Sequence, residues 1–119
     1  MRLVAFAATA DLERSHAFYG AVLGLERTEA GPFANAYDVA GTQLRVTLVE
    51  HVAAAPYTVL GFAVHDVAAA LRAHGLEPLR YDALDQDADG IWTAPSGTRI
   101  AWFADPDGNT LSFSRAPRG

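Results

Sequence analysis

The stretch LVAFAATADLERSHAFYGAVLG, residues 3–24, decides how this chain is read. Residues 3–9 form a short apolar run of strand length. Asp11 then stands at an N-cap position with Glu13 in the first turn behind it, so a helix is predicted to start there. Leu12, Ser15, Phe18, Tyr19 and Val22 recur at helical spacing, and Gly24 supplies the residue that ends helices most readily. The same order returns in YTVLGFAVHDVAAALRAHG, residues 57–75. There an apolar strand is followed by Asp66 as cap, by Val67, Ala70, Leu71 and His74 on one helix face, and by Gly75 as stop.

Working outward, residues 34–39 and 43–50 read as strands joined at Ala40-Gly41, where glycine permits a tight turn. Residues 53–56 are a small-residue linker. In the second half, residues 77–81 read as a short strand and residues 82–90 as an acid-rich loop. Residues 98–104 and 110–115 read as strands around Asp105-Pro106-Asp107-Gly108-Asn109, whose composition suits a turn. The chain is therefore predicted to be α+β, a βαβββ unit repeated once within a single domain spanning residues 1–119. Module one covers 1–52, the linker 53–56 and module two 57–119. Two unrelated α+β halves would require both halves to mislead in the same way.

Composition narrows the chemistry. The chain has 119 residues, half of them apolar and 19% charged, which suits a globular domain with its own core. It contains no cysteine, which excludes disulfides, thiolate nucleophiles and Cys-ligated metals. All nine basic residues are arginine, so Schiff-base chemistry on lysine and a Walker A loop are excluded too. A net charge of -5 argues against nucleic acid and anionic membrane as partners. The apolar run near the N-terminus is too short to cross a bilayer and shows no cleavage site, which predicts a first strand and a cytoplasmic protein.

Three fragments resemble the vicinal oxygen chelate superfamily, also called glyoxalase / bleomycin resistance / extradiol dioxygenase. They are DLERSHAFYGAVLGLE from Asp11, GFAVHDVAAALRAHG from Gly61 and AWFADPDGNTLSFS from Ala101. The first is similar to the family's D-x-x-x-S-x-x-F-Y-x-x-x-L-G-[LF] helix, and the last to its F-x-D-P-D-G-N hairpin. The resemblance implies two βαβββ modules whose curved mixed sheet surrounds a cavity, usually completed across a homodimer. These motifs are structural, with Phe18, Tyr19 and Leu23 anchoring a helix and Asp105 to Asn109 forming a turn. They identify a fold and not a chemistry.

Metal-dependent members of the family place His, Glu or Gln on four cavity strands. At the corresponding places this chain has Val4, Thr47, Leu60 and Ser112. Valine and leucine have no lone pair, and neutral hydroxyls are weak ligands beside imidazole or carboxylate. No metal is expected at that site, and no cofactor is implied.

Alternation on the fourth strand separates Leu44, Val46 and Leu48 from Gln43, Arg45 and Thr47, which predicts Arg45 and Thr47 on the cavity side. The same parity places Leu60 and Phe62 inward on the fifth strand, Ser112 and Ser114 on the last, and Ile100 and Trp102 on its neighbour. Arg45 is expected to meet a ligand carboxylate or to bridge to Asp38. Trp92 and Trp102 are expected to stack on a flat or cationic ligand, or else to pack in a core or interface. The candidate ligand-binding set is thus Arg45, Thr47, Leu60, Phe62, Trp92, Trp102 and Ser112.

Other signals carry less. His16 and His74 read as solvated helix positions and His65 as structural, while His51 beside Glu50 is the one histidine with an acid/base partner in sequence. Asp82, Asp85, Asp87 and Asp89 have calcium-loop spacing only superficially, lacking the central glycine and terminal glutamate, and predict a solvated, mobile loop. The expected function is metal-independent small-molecule binding, such as antibiotic or metabolite sequestration, in a homodimer. The alternative is an enzyme of the same superfamily, a lyase, isomerase or dioxygenase-like protein, using His51, Glu50, Arg45 or a metal held by unexpected residues.

Overall fold

The computed structural model describes residues 1–117, which fall into two compact units. The first comprises residues 1–56 together with Asp105–Asn109, and the second residues 57–104 with the chain beyond Thr110. Each unit is a four-stranded mixed sheet with one helix on it, the βαβββ arrangement expected from the repeat.

In the first unit, strand β1 (Val4–Thr9) leads into helix α1 (Leu12–His16), which continues as a π-helical turn over Ala17–Val22. Asp11 caps α1 as predicted, its carboxylate accepting the Arg14 N–H at 3.0 Å. Gly24, at φ 73°, ends the helix in the left-handed conformation that glycine adopts without strain. Strands β2 (Glu26–Ala30), β3 (Ala34–Val39) and β4 (Thr42–Leu48) complete the sheet in the order β1-β4-β3-β2, with β1 parallel to β4. The β3–β4 turn is the predicted two-residue Ala40-Gly41, both residues at positive φ. Strand β2 was not foreseen: its residues, Glu-Arg-Thr-Glu-Ala, are exposed throughout, so no apolar alternation marks it. A bulge between Arg27 and Glu29 and its charged side chains protect this sheet edge.

The core of this unit lies between helix and sheet, where Tyr19, Tyr37, Leu44 and Val46 are buried. The segment Asp105–Asn109 is fixed here by an exchange of buried polar groups. Asp105 accepts the Tyr19 hydroxyl and the Asn109 amide at one oxygen, and the Asp107 and Asn109 N–H groups at the other. Asp107 accepts the Thr9 hydroxyl at 2.6 Å, the Ala10 N–H and the Arg14 guanidinium. The motif that reads in sequence as a plain turn is thus a ligand for helix and strand of the first unit.

In the second unit, strand β5 (Thr58–Ala63) precedes helix α2 (Val67–Ala73), capped by Asp66 through the Ala69 N–H at 3.0 Å. That bond holds the Asp66 carboxyl below its ordinary range. Strands β6 (Trp92–Thr93), β7 (Arg99–Ala104) and β8 (Thr110–Arg115) give the order β5-β8-β7-β6, with β5 parallel to β8. Phe103 and Phe113 pack at 4.7 Å between ring centres, with Leu111, Val67 and Leu71 buried around them.

The predicted strand at 77–81 shrinks to one bridge, Leu79 to Trp102, and the strand that does form, β6, is only two residues long. The acidic loop is also more ordered than a solvated loop requires. The Gln86 side chain accepts the Tyr81 N–H and donates to the Leu79 and Gly90 carbonyls, while Asp87 accepts the Asp89 and Ile91 N–H groups. Among the described residues, no helix is long and apolar enough to cross a membrane.

Candidate ligand-binding faces

Each sheet has one face under its helix and one face free of it. Pairing register assigns every strand residue to one of them, because directly paired residues share a face.

On the helix-free face of the first sheet, Phe6 of β1 sits beside Arg45 of β4, which sits beside Ala36 of β3, which sits beside Glu29 of β2. Arg45 and Thr47 project from this face, as the alternation predicts. The Arg45 guanidinium reaches across Ala36 to Glu29, with Nη1 to Oε2 at 3.1 Å. The methyl side chain of Ala36 leaves room for that crossing and is itself fully covered. The expected bridge from Arg45 to Asp38 does not form; Asp38 lies two pairs further along β3, opposite Gln43, and Arg45 turns to Glu29 instead. Phe6 is 59% exposed and Val4 37%, so apolar surface adjoins the ion pair.

On the helix-free face of the second sheet, Trp102 of β7 pairs with Ser112 of β8, and its indole N–H crosses to the Thr58 hydroxyl of β5 at 3.0 Å. Ser112 is buried next to it, and Gly61 is paired with Ser112 so closely that a Cβ there would stand 3.0 Å from the serine hydroxyl. Tyr81 meets Trp102 edge to face, with centres 5.5 Å apart and planes at 90°. Trp92 lies 6.1 Å from Trp102 at an interplanar angle of 32°. Three half-buried aromatic rings therefore share one sheet face with hydroxyls and no charged side chain from its paired strand positions. Such a surface offers π-stacking area with a few fixed polar groups.

Leu60 and Phe62 do not join it. Strand β5 carries a bulge between Thr58 and Leu60, so Val59 is an extra residue and the parity read from sequence inverts. Leu60 pairs with Leu111 and Phe62 with Phe113, both on the helix side, and the Phe62 and Phe113 rings are 6.3 Å apart. These two residues lie half-buried on the helix side, and Thr58 and Gly61 take the free-face positions. Thr58 and Tyr81 are the residues sequence reading missed. The bulge at Val59 and the loop fold built on Gln86 bring them in, and neither has a local signature.

The four places where the resemblance puts metal ligands do not suit an ion. Val4 has no donor atom, Leu60 has none and points under the helix, and Thr47 and Ser112 offer only neutral hydroxyls. Among the described residues, no three His, Asp or Glu side chains converge closely enough to hold a metal ion.

The histidines also sort out. His51 and Glu50 are 3.9 Å apart, each more than 90% exposed, a solvated pair with nothing to orient it. His16 and His74 are not solvated as expected. His74 packs on Phe113, and His16 stacks over Tyr37 with Nδ1 2.9 Å from the phenol oxygen. His65 receives a guanidinium N–H of Arg115 at its carbonyl oxygen.

The family model for the Glyoxalase/Bleomycin resistance protein/Dioxygenase superfamily matches residues 3–113. No curated protein matches the chain. Among solved structures, a glyoxalase/bleomycin resistance protein from Catenulispora acidiphila is similar at TM-score 0.72 and 24% identity, over 98% of this chain and 99% of its own. A glyoxalase/bleomycin resistance protein/dioxygenase from Alicyclobacillus acidocaldarius is similar at TM-score 0.72 and 19% identity, over 99% of this chain and 92% of its own. A lactoylglutathione lyase from Agrobacterium tumefaciens is similar at TM-score 0.71 and 18% identity, over 97% and 92%. At these identities the likeness is one of fold.

Proposed function

Because the chain belongs to the Glyoxalase/Bleomycin resistance protein/Dioxygenase superfamily, we propose that it holds a small organic molecule against the helix-free face of its second sheet without a metal ion. The observation that carries this reading is a pairing of loss and gain. The positions that would ligate a metal are Val4, Thr47, Leu60 and Ser112, while the free face of the second sheet carries Trp102, Trp92 and Tyr81 side by side. Metal-dependent glyoxalase or dioxygenase chemistry has no donor set to run on here, whereas stacking needs only exposed ring surface.

In this reading Trp102 is the principal contact, with its indole fixed by Thr58 so that little freedom is lost on binding. Trp92 and Ser112 flank it. On the helix-free face of the first sheet, taken by itself, Arg45 and Thr47 offer polar groups to a ligand, and Arg45 keeps N–H donors beyond the one given to Glu29. The working unit is a cytoplasmic homodimer that sequesters an antibiotic or metabolite and releases it unchanged. Light scattering on the purified protein would then give about twice the 12.7 kDa chain mass.

Tryptophan emission tests the proposal. EDTA-treated protein, titrated with a panel of small heteroaromatic compounds, is expected to show saturable quenching by some of them, lost in Trp102→Ala and unchanged on adding zinc, manganese or iron. Saturable binding that needs an added metal would overturn it.

A further inference from the structure

A groove of about 390 Å³ opens under α1, on the side of the first sheet opposite its helix-free face. Its polar lining is Glu13 and His16 from the helix and Arg27 and Asn35 from the strands. Three features prepare it. The π-helical turn begins immediately after His16, and such turns are rare and concentrate at functional sites. Gly20 lies against the His16 ring so tightly that a Cβ would come within 2.3 Å of it, so the imidazole has one seat. The Tyr37 hydroxyl occupies Nδ1 at 2.9 Å, which leaves Nε2 as the ring's remaining polar atom.

Arg27 is the second component. Among the described residues its guanidinium makes no ion pair or side-chain hydrogen bond, although it lines the groove with His16. Its charge, after burial, contributes to holding the imidazole below its ordinary proton affinity. The 2.9 Å contact fits a hydrogen in either direction, and in the tautomer whose Nδ1 accepts from Tyr37 the imidazole proton is on Nε2, as a donor. One guanidinium and one imidazole thus border a cleft whose lining holds no anion except Glu13.

We propose that this groove binds the carboxylate of a small organic acid, with Arg27 as its charge partner and His16 Nε2 as a further donor. A single negative charge fits better than two, because Glu13 adds repulsion that a phosphate dianion would meet twice over. The site is independent of the aromatic face and stands whether or not that face binds a ligand.

The test uses acetate as probe, followed by NMR of the His16 ring protons in the full-length protein at constant ionic strength. Acetate is expected to shift the His16 signals saturably and to raise the imidazole's titration midpoint by neutralising Arg27. Arg27→Gln is expected to weaken acetate roughly tenfold or more, since it removes a charge-assisted hydrogen bond. The substitution alone should raise the same midpoint while leaving the amide spectrum of the core intact. Arg27→Lys, keeping the charge without the planar fork, is expected to fall between. No saturable shift, or one that survives Arg27→Gln at full affinity, would overturn the site. A phosphate titration as tight as that of acetate would overturn the assignment to a monoanion.

Discussion

The Tyr19 hydroxyl donates to the Asp105 carboxylate at 2.6 Å, with both side chains buried and 86 residues between them in sequence. Burial first, then Asp105, pushes the phenol's pKa well above its ordinary value, so the proton stays on tyrosine throughout the accessible pH range. Asp105 collects three further donors, and the removal of one leaves a buried charge short of a partner. Tyr19→Phe is therefore expected to lower stability by about 1.5–3 kcal/mol, the cost of a hydrogen bond to a charged group. Urea unfolding would measure it, with the slope of the transition unchanged.

Gly20 is required by His16 and not by the helix. In an open helix position Gly→Ala stabilises by roughly 0.5–1 kcal/mol. Here the new methyl would stand 2.3 Å from the imidazole, so Gly20→Ala is expected to destabilise by about 1–3 kcal/mol, the usual range for overpacking. In a His16→Ala background the same Gly20→Ala change should cost nothing or stabilise slightly, because the atoms it meets are those of the imidazole. Thermal melts of the four proteins give the coupling directly.

The pH response follows from His16. Burial, then Arg27, lowers its pKa in the folded state from the ordinary imidazole value of 6.5. In the window between the two values the unfolded chain binds more protons than the folded one. The contribution is thus fully present above pH 6.5, declines as pH falls below it, and is exhausted once pH passes below the folded value. Denaturant midpoints from pH 7.5 to 5 should fall in the wild type and fall less in His16→Asn.

The Arg45–Glu29 pair should matter little to stability. Its side chains are 33% and 56% exposed, and exposed ion pairs contribute about 0–1 kcal/mol. Glu29→Gln is expected to shift the unfolding free energy within that range. Ala36→Leu is a different case, because a branched chain would stand where the guanidinium crosses. It should break the pair and expose Arg45 to salt-dependent contacts, visible as a change in the Arg45 side-chain NMR signals.

Much of this fold was legible because the strand, Asp cap, helix and glycine stop recur in two halves, and caps have sequence signatures. What escaped had physical reasons. Strand β2 is exposed on all five residues, so its pattern carries no core-facing period. Strand β6 is two residues long and takes its place from tertiary pairing with Ile100 and Arg99. The free-face residues Arg45, Thr47, Trp102 and Ser112 followed from period-two alternation on unbroken strands. Leu60 and Phe62 were misplaced because one extra residue at Val59 reverses that alternation, and nothing local to Thr-Val-Leu announces a bulge. Tyr81 reached the aromatic cluster through hydrogen bonds of Gln86 within a loop whose course depends on them.

Metal-free ligand binding at Trp102 is tested by native mass spectrometry of the protein taken from its own cells in the presence of EDTA. An organic adduct, without any metal mass, is expected, and it should disappear in Trp102→Ala while the variant remains folded. A chain that instead retains a stoichiometric divalent ion, or keeps the same adduct after Trp102→Ala, would contradict it.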